Sequence, residues 1–237
     1  MKKTLVSSII ASSFVLTLQA ADTNSFVTHT ELGYIQTDGN TQTKTFNLDA
    51  NAKKEWQKQV LAFRVDAQYA SNQNIEIKKR YLFELNYDYK YTKRLSLNYL
   101  IGYKSDKYAG FDYQFYTGPG LKYQVLKTKE HDLSINGNIL YSSDKYTTNT
   151  TKDYTSYRLQ AIYAWQMLKN LKFTQELTDR GSFEDAQNYF ITSKTAFTSK
   201  LSDIFSAGLS YKVDYVNQPV SPKSTDTTLT FNLIMDY

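Results

Sequence analysis

Leu95-Ser96-Leu97-Asn98-Tyr99-Leu100-Ile101-Gly102-Tyr103-Lys104 decides the fold. Every odd position in this stretch is Leu, Tyr or Ile, and the even positions are mostly Ser, Asn, Gly and Lys. Successive side chains on a β-strand point to opposite faces, so this pattern gives one apolar and one polar face. The same alternation runs through Leu133, Ile135, Gly137, Ile139 and Tyr141, with polar residues between most of them. It returns in Phe205, Ala207, Leu209, Tyr211, Val213 and Tyr215, and in Leu229, Phe231, Leu233, Met235 and Tyr237. About twelve such stretches fill the chain. A chain built this way predicts a transmembrane antiparallel up-and-down β-barrel, whose outer face meets lipid and whose inner face meets water.

The predicted strands lie near 28–37, 41–54, 59–69, 78–91, 95–104, 112–126, 132–143, 155–165, 171–180, 188–199, 203–216 and 226–237. Their connections divide into two sets. Short ones fall near 55–58, 92–94, 127–131, 166–170 and 199–203; longer ones fall near 70–78, 105–112, 143–155, 180–188 and 217–225. Short periplasmic turns and longer extracellular loops are the known asymmetry of such barrels, and an even strand count leaves both termini on the periplasmic side. Thr37-Asp38-Gly39-Asn40 is a tight hairpin signal in which Gly39 supplies positive φ. Gly118-Pro119-Gly120 interrupts one strand, and Pro lacks the N–H that a closed ladder needs. A bulge or kink is expected there, or an early strand end.

Residues 1–20 read as a signal peptide. Lys2 and Lys3 form a positive start, Leu5 to Leu18 is apolar with Ser and Thr, and Ala20-Ala21 offers a cleavage site. Residues 21–237 then form one domain, since no linker or compositional break divides them. The chain has no cysteine and a mean hydropathy of −0.53. Outside the signal there is no run of 18 apolar residues, which excludes spanning helices; a barrel needs only alternate residues apolar. A soluble lipocalin-like barrel would have about eight strands and an apolar lumen. Too many strands, and too many charges on the second face, oppose that reading. The net charge of +5 falls once the lysines of the signal are removed. No basic cluster marks one face, so no nucleic acid is expected as a partner.

Aromatic residues are placed at both strand ends. Trp56, Tyr91 and Trp165 lie beside short turns, whereas Tyr69, Tyr103, Tyr141 and Tyr215 lie at the opposite ends. This is the pattern of a membrane-interface girdle. The polar face carries the candidate lumen-facing residues Arg64, Asp66, Glu84, Asp88, Lys90, Lys104, Lys122, Arg158, Glu176, Lys212 and Asp214. Opposed charges can form a transverse field that admits small polar solutes or ions, or they can pair and close the lumen. Twelve strands lie between filled eight-stranded barrels and open sixteen-stranded porins, so both readings stay open.

Catalysis finds little support. Barrel enzymes place a His with Ser or Asp partners near the outer leaflet. The two histidines, His29 and His131, fall on the predicted periplasmic side. Asp106, Asp112, Asp144, Asp153, Asp179, Glu184 and Asp185 match no calcium loop and read as solvated loop charge. No catalytic, metal or cofactor-binding residue is assigned, and no cofactor is expected.

Gly33-Tyr34-Ile35-Gln36-Thr37-Asp38-Gly39-Asn40-Thr41, the mid-chain Gly118-Pro119-Gly120 and the aromatic C-terminus together resemble the salt-induced outer membrane protein family, domain of unknown function 481. The resemblance covers roughly 30–237. Asp38 stands where that family usually has Ser, a mild departure. The resemblance implies an outer-membrane location and a link to salt or osmotic response, and it supplies no ligand or catalytic residue. Tyr237 resembles the terminal aromatic that such barrels offer to the barrel-assembly machinery. Expected partners are outer-membrane lipid and lipopolysaccharide, that machinery and periplasmic chaperones during biogenesis, and small polar solutes or ions. The expected function is a narrow porin-like channel or envelope component. The alternatives are a plugged structural barrel or a surface-adhesion barrel acting through the loop at 143–155.

Overall fold

The computed structural model describes residues 26–37, 43–219 and 223–236. The expected signal peptide, the hairpin expected at 38–40 and Tyr237 lie outside the described residues. Twelve strands follow one another: β1 (Phe26–Thr37), β2 (Thr43–Trp56), β3 (Gln59–Asn72), β4 (Ile75–Lys90), β5 (Leu95–Asp106), β6 (Phe111–Lys127), β7 (His131–Tyr146), β8 (Thr151–Leu168), β9 (Leu171–Ser182), β10 (Tyr189–Lys200), β11 (Phe205–Val216) and β12 (Thr225–Asp236). Each pairs antiparallel with its sequence neighbours. The barrel closes where β1 meets β12, through His29↔Asp236 and Leu32↔Leu233. Closure removes the free edge, which is what lets a sheet sit in lipid.

The alternation sets the two faces. On β12, Leu229, Phe231, Leu233 and Met235 are exposed, while Thr230, Asn232 and Ile234 between them are buried inside. The same holds on β4, where Tyr81, Phe83, Leu85, Tyr87 and Tyr89 face out. An apolar outer surface this continuous has no place on a soluble monomer.

At the rim where β1 begins and β12 ends, the turns are tight. Three use one device: a hydroxyl at the first turn position accepts the backbone N–H three residues on. Thr92 Oγ1 takes Leu95 N–H at 2.9 Å, Thr128 Oγ1 takes His131 N–H at 2.8 Å, and Ser202 Oγ takes Phe205 N–H at 3.0 Å. We call this rim the turn end and the opposite rim the loop end.

The loop end departs from expectation. The connections expected at 70–78, 105–112 and 143–155 shrink to 73–74, 107–110 and 147–150, because the strands continue through the polar residues beyond the apolar band. Residues 73–74 form a two-residue hairpin turn with positive φ at Gln73 (49°) and Asn74 (62°). A 3-10 turn at Lys107–Ala109 is capped by Asp106, whose carboxylate accepts the Ala109 N–H.

Gly118-Pro119-Gly120 also departs from expectation: β6 neither ends nor bulges there. Pairing with β7 keeps one register across it, from Thr117↔Tyr141 to Gly120↔Asn138, and the register shifts occur near Phe111 and Gln124 instead. The glycines explain the smooth passage. A Cβ on Gly118 would lie 2.1 Å from the Ile139 carbonyl oxygen, so only glycine permits this approach of two backbones.

Candidate functional site in the barrel lumen

Inward side chains divide the lumen into levels. Nearest the loop end, Phe111, Phe190 and Val216 pack together from β6, β10 and β11, with Ala109 and Tyr146 against them. The Phe111 and Phe190 rings meet edge to face with centroids 5.7 Å apart. β6 lies four strands around the wall from the adjacent pair β10 and β11, so the cluster spans the lumen. Beside it the Arg180 guanidinium lies between two rings, 4.7 Å from Tyr116 and 4.6 Å from Phe190. Such cation–π contacts strengthen where water is excluded. Asp144 is fully buried here and accepts from Gln114 Nε2 at 3.1 Å and Tyr154 Oη at 2.8 Å.

The next level is a layer of ion pairs reaching across the barrel. Arg64 on β3 meets Glu176 on β9, the diametrically opposite strand, at 3.0 Å. Lys212 on β11 meets Asp66 on β3 at 2.9 Å. Arg80 on β4 meets Asp214 on β11 at 2.9 Å, and Arg158 on β8 meets Glu84 on β4 at 3.6 Å. Lys194 on β10 holds Asp49 at 3.0 Å and Glu31 at 3.3 Å. Tyr116 Oη donates to Glu84 at 2.6 Å, and Gln160 Nε2 donates to Glu176 at 2.7 Å. Tyr116 can lie inward because Gly102 faces it; a Cβ there would come within 2.1 Å of its ring. A cavity of about 80 Å³ remains within this layer, and Lys104 from β5 lines it.

Below the layer the lumen widens. A chamber of about 410 Å³ is lined by His29, Asn51, Asn86 and Asn136 among others. It leads to a vestibule of about 850 Å³ at the turn end, where Lys90 and Lys122 enter. Lys90 is hydrogen-bonded to Glu55, and Lys122 lies 3.5 Å from Asp88.

All eleven candidate lumen residues thus have their side chains inside the barrel. Arg64, Asp66, Glu84, Lys104, Arg158, Glu176, Lys212 and Asp214 meet in or beside the ion-pair layer; Asp88, Lys90 and Lys122 lie apart at the vestibule. Sequence reasoning missed Glu31, Asp49, Arg80, Arg180 and Lys194. Each has the inward parity of its strand, so parity alone could have found them. It also placed Asp106 and Asp144 in solvated loops, whereas both are buried, 2% and 0% exposed, because β5 and β7 run further than expected. Outside the strands, Asp185 behaves as loop charge: its hydrogen bond to Lys152 at 3.1 Å holds its carboxyl below the usual range.

The outward rings form clusters near each rim. At the turn end His131 stacks on Tyr163 and Trp165, and Tyr163, Phe173 and Phe197 continue the row. Trp56 closes β2 at the same rim and Tyr91 opens the next turn. At the loop end Tyr103 stacks with Tyr113, and Tyr189 packs tilted against Tyr215; Tyr69 and Tyr141 lie near the same ends of β3 and β7. Among the described residues, no group of three or more His, Cys, Asp or Glu side chains is arranged to hold a metal ion.

The model of the family described as protein of unknown function DUF481 matches residues 30–237. The chain belongs to this family. A curated relative, the uncharacterized protein YdiY of Escherichia coli (strain K12), is 25% identical over 208 residues, covering 85% of this chain and 79% of that protein. Among solved structures, an outer membrane channel from Pseudomonas putida F1 aligns with a TM-score of 0.56 at 8% identity, covering 92% of this chain and 97% of the channel. The NanC porin aligns with a TM-score of 0.50 at 9% identity, covering 89% of this chain and 97% of the porin. At these identities the likeness concerns the fold, which is that of outer-membrane β-barrels.

Proposed function

We propose that this protein is a narrow outer-membrane channel for ions and small polar solutes, with a conductance set by the aromatic cluster and the charged layer that cross its lumen. The observation that carries this reading is the Arg64–Glu176 pair between opposite walls. Among the described residues, side chains alone obstruct the lumen, and a paired side chain can swing aside where a folded plug cannot. The partners are about one-fifth exposed, so dissolved ions reach them. Salt shortens the range of such attractions from about 30 Å at 0.01 M to about 3 Å at 1 M. Rising ionic strength therefore loosens this pair more than its deeper neighbours in the layer, which supplies a physical basis for a link to salt or osmotic response. The apolar outer band and its two aromatic rims support residence among outer-membrane lipid and lipopolysaccharide, with delivery by the signal peptide and barrel-assembly machinery.

A second reading, a structural barrel with a closed lumen, is favoured by the Phe111–Phe190–Val216 cluster. The adhesion reading loses support with the contraction of its loop to 147–150. An enzyme is disfavoured because His29 is engaged by Glu31 and His131 by Tyr163, both near the turn end. Single-channel recording of the refolded protein across salt concentrations tests the proposal. Discrete steps that grow faster than bulk conductivity support a salt-loosened channel. Silence from a folded, heat-modifiable barrel favours the closed one.

A further inference from the structure

We infer that the cavity within the ion-pair layer is a binding station for a small oxyanion of the phosphate class. The inference rests on the channel reading for access to the cavity, and on the lining chemistry for what enters it. Seven cationic side chains and two carboxylates line this space. The carboxylates are already engaged: Glu84 by Tyr116 and Arg158, Glu176 by Arg64 and Gln160. The other acidic partners do not line the cavity: Asp66 takes Lys212, Asp214 takes Arg80, Asp49 and Glu31 take Lys194, and Asp144 lies 3.9 Å from Arg180.

What is left over around the cavity is mainly donor capacity on three cations, against one unpaired acceptor among the lining side chains, Gln114 Oε1. Lys104 forms no ion pair or side-chain hydrogen bond among the described residues, and it lines the cavity. Arg64 and Arg80 each carry a buried Nε with no hydrogen-bond acceptor, and both residues line the same space. A buried unsatisfied donor is costly, and one acceptor-only ligand with several oxygens could satisfy all three. Size agrees. At roughly 10–15 Å³ for each water, a cavity of about 80 Å³ holds several waters or one compact tetrahedral anion.

The approach carries the same sign. The turn-end vestibule is lined by six Lys and Arg residues against two carboxylates, Glu55 and Asp88. Clefts lined by one sign of charge concentrate the opposite ion, and Arg/Lys linings are the device of anion and phosphate pores. An anion entering from the turn end meets this vestibule first, then the chamber with five Lys and Arg residues against four carboxylates, and then Lys104 in the cavity beyond it.

Isothermal titration of the detergent-refolded protein with inorganic phosphate tests the site, using wild type, K104Q, K104R and the vestibule variant K93Q/R94Q. Among the described residues Lys104 has no hydrogen bond or ion pair that K104Q would break, and heat-modifiable gel mobility checks that each variant folds. The expected result is saturable binding that weakens tenfold or more in K104Q and stays within threefold in K104R and K93Q/R94Q. Absence of phosphate binding to wild type overturns the site, whatever the variants do. Binding lost in K93Q/R94Q and kept in K104Q also overturns it, by moving the anion to the vestibule. Bilayer recording separates the two readings. Silence with Lys104-dependent phosphate binding overturns the channel and leaves the site standing. Conductance steps without phosphate binding do the reverse.

Discussion

The loop-end and turn-end halves of the lumen are made from the same strands and the same alternation, yet one is filled and the other is wet. At the loop end Phe111, Gln114, Ser142, Asp144 and Ser156 are at most 1% exposed. At the turn end Lys90, Lys122 and Gln124 border the 850 Å³ vestibule. Strand number sets an upper bound on bore. Here the bore is decided by which residues occupy the inward parity: long aromatic and paired charged side chains above, flexible lysines and small polar groups below.

The comparison breaks most directly at the aromatic closure. Phe111→Ala with Phe190→Ala removes the edge-to-face pair, and each truncation of a packed Phe costs about 3–5 kcal/mol. Urea unfolding in lipid vesicles should register that loss, and unitary conductance should rise at least twofold. Unchanged conductance would place the limiting constriction in the ion-pair layer instead.

A second break tests how tightly the wall above the chamber is built. Gly118→Ala drives a Cβ against the Ile139 carbonyl, and a backbone atom cannot rotate away. Overpacking of this kind costs about 1–3 kcal/mol. Gly137→Ala on the adjacent strand meets only Leu159 Cδ2 at an ordinary 3.5 Å. It should stay within about 0.5 kcal/mol. Equal effects at the two glycines would mean the β6–β7 approach is looser than described.

This contrast also marks how far the sequence could be read. Twelve strands, their faces and the inward parity of Arg64, Glu176 or Lys212 all follow from a period of two, which is a local property. Three features did not follow. Gly118-Pro119-Gly120 resembles an interruption because Pro lacks an N–H, but its flanking glycines let the strand pass in register, a matter decided by the partner strand. Asp144 and Asp106 sit among polar residues that resemble loop, while strand pairing carries both into the lumen. Which cation meets which carboxylate across the barrel depends on shear and side-chain reach, and no spacing along the chain encodes it. Lys104 was visible as inward-facing; that it forms no hydrogen bond or ion pair among the described residues was not.

The charged layer offers a smaller perturbation. Glu176→Gln keeps the shape and removes the charge that holds Arg64 from across the barrel. Breaking a buried pair can cost 3–5 kcal/mol, but both side chains are about one-fifth exposed, so solvent screening reduces the expected loss to about 1–2 kcal/mol. Conductance in dilute salt should rise relative to wild type, and the difference should shrink toward 1 M, where the wild-type pair is itself screened. A difference that persists undiminished at 1 M would mean the pair acts by bulk rather than by charge.

The turn end should give the smallest effect, visible in conduction alone. Lys93 and Arg94 are exposed on the turn between β4 and β5 and line the vestibule. Their neutralisation in K93Q/R94Q should change stability by less than about 0.5 kcal/mol, as surface substitutions do. Their contribution is to the local concentration of anions at the mouth, which acts over about 10 Å at 0.1 M salt and about 3 Å at 1 M. The variant should therefore conduct less than wild type in dilute salt, lose part of any anion preference in its reversal potential, and match wild type at 1 M. If the deficit is the same at both concentrations, these residues obstruct or shape the mouth rather than charge it. The two ends of the lumen would then differ in packing alone.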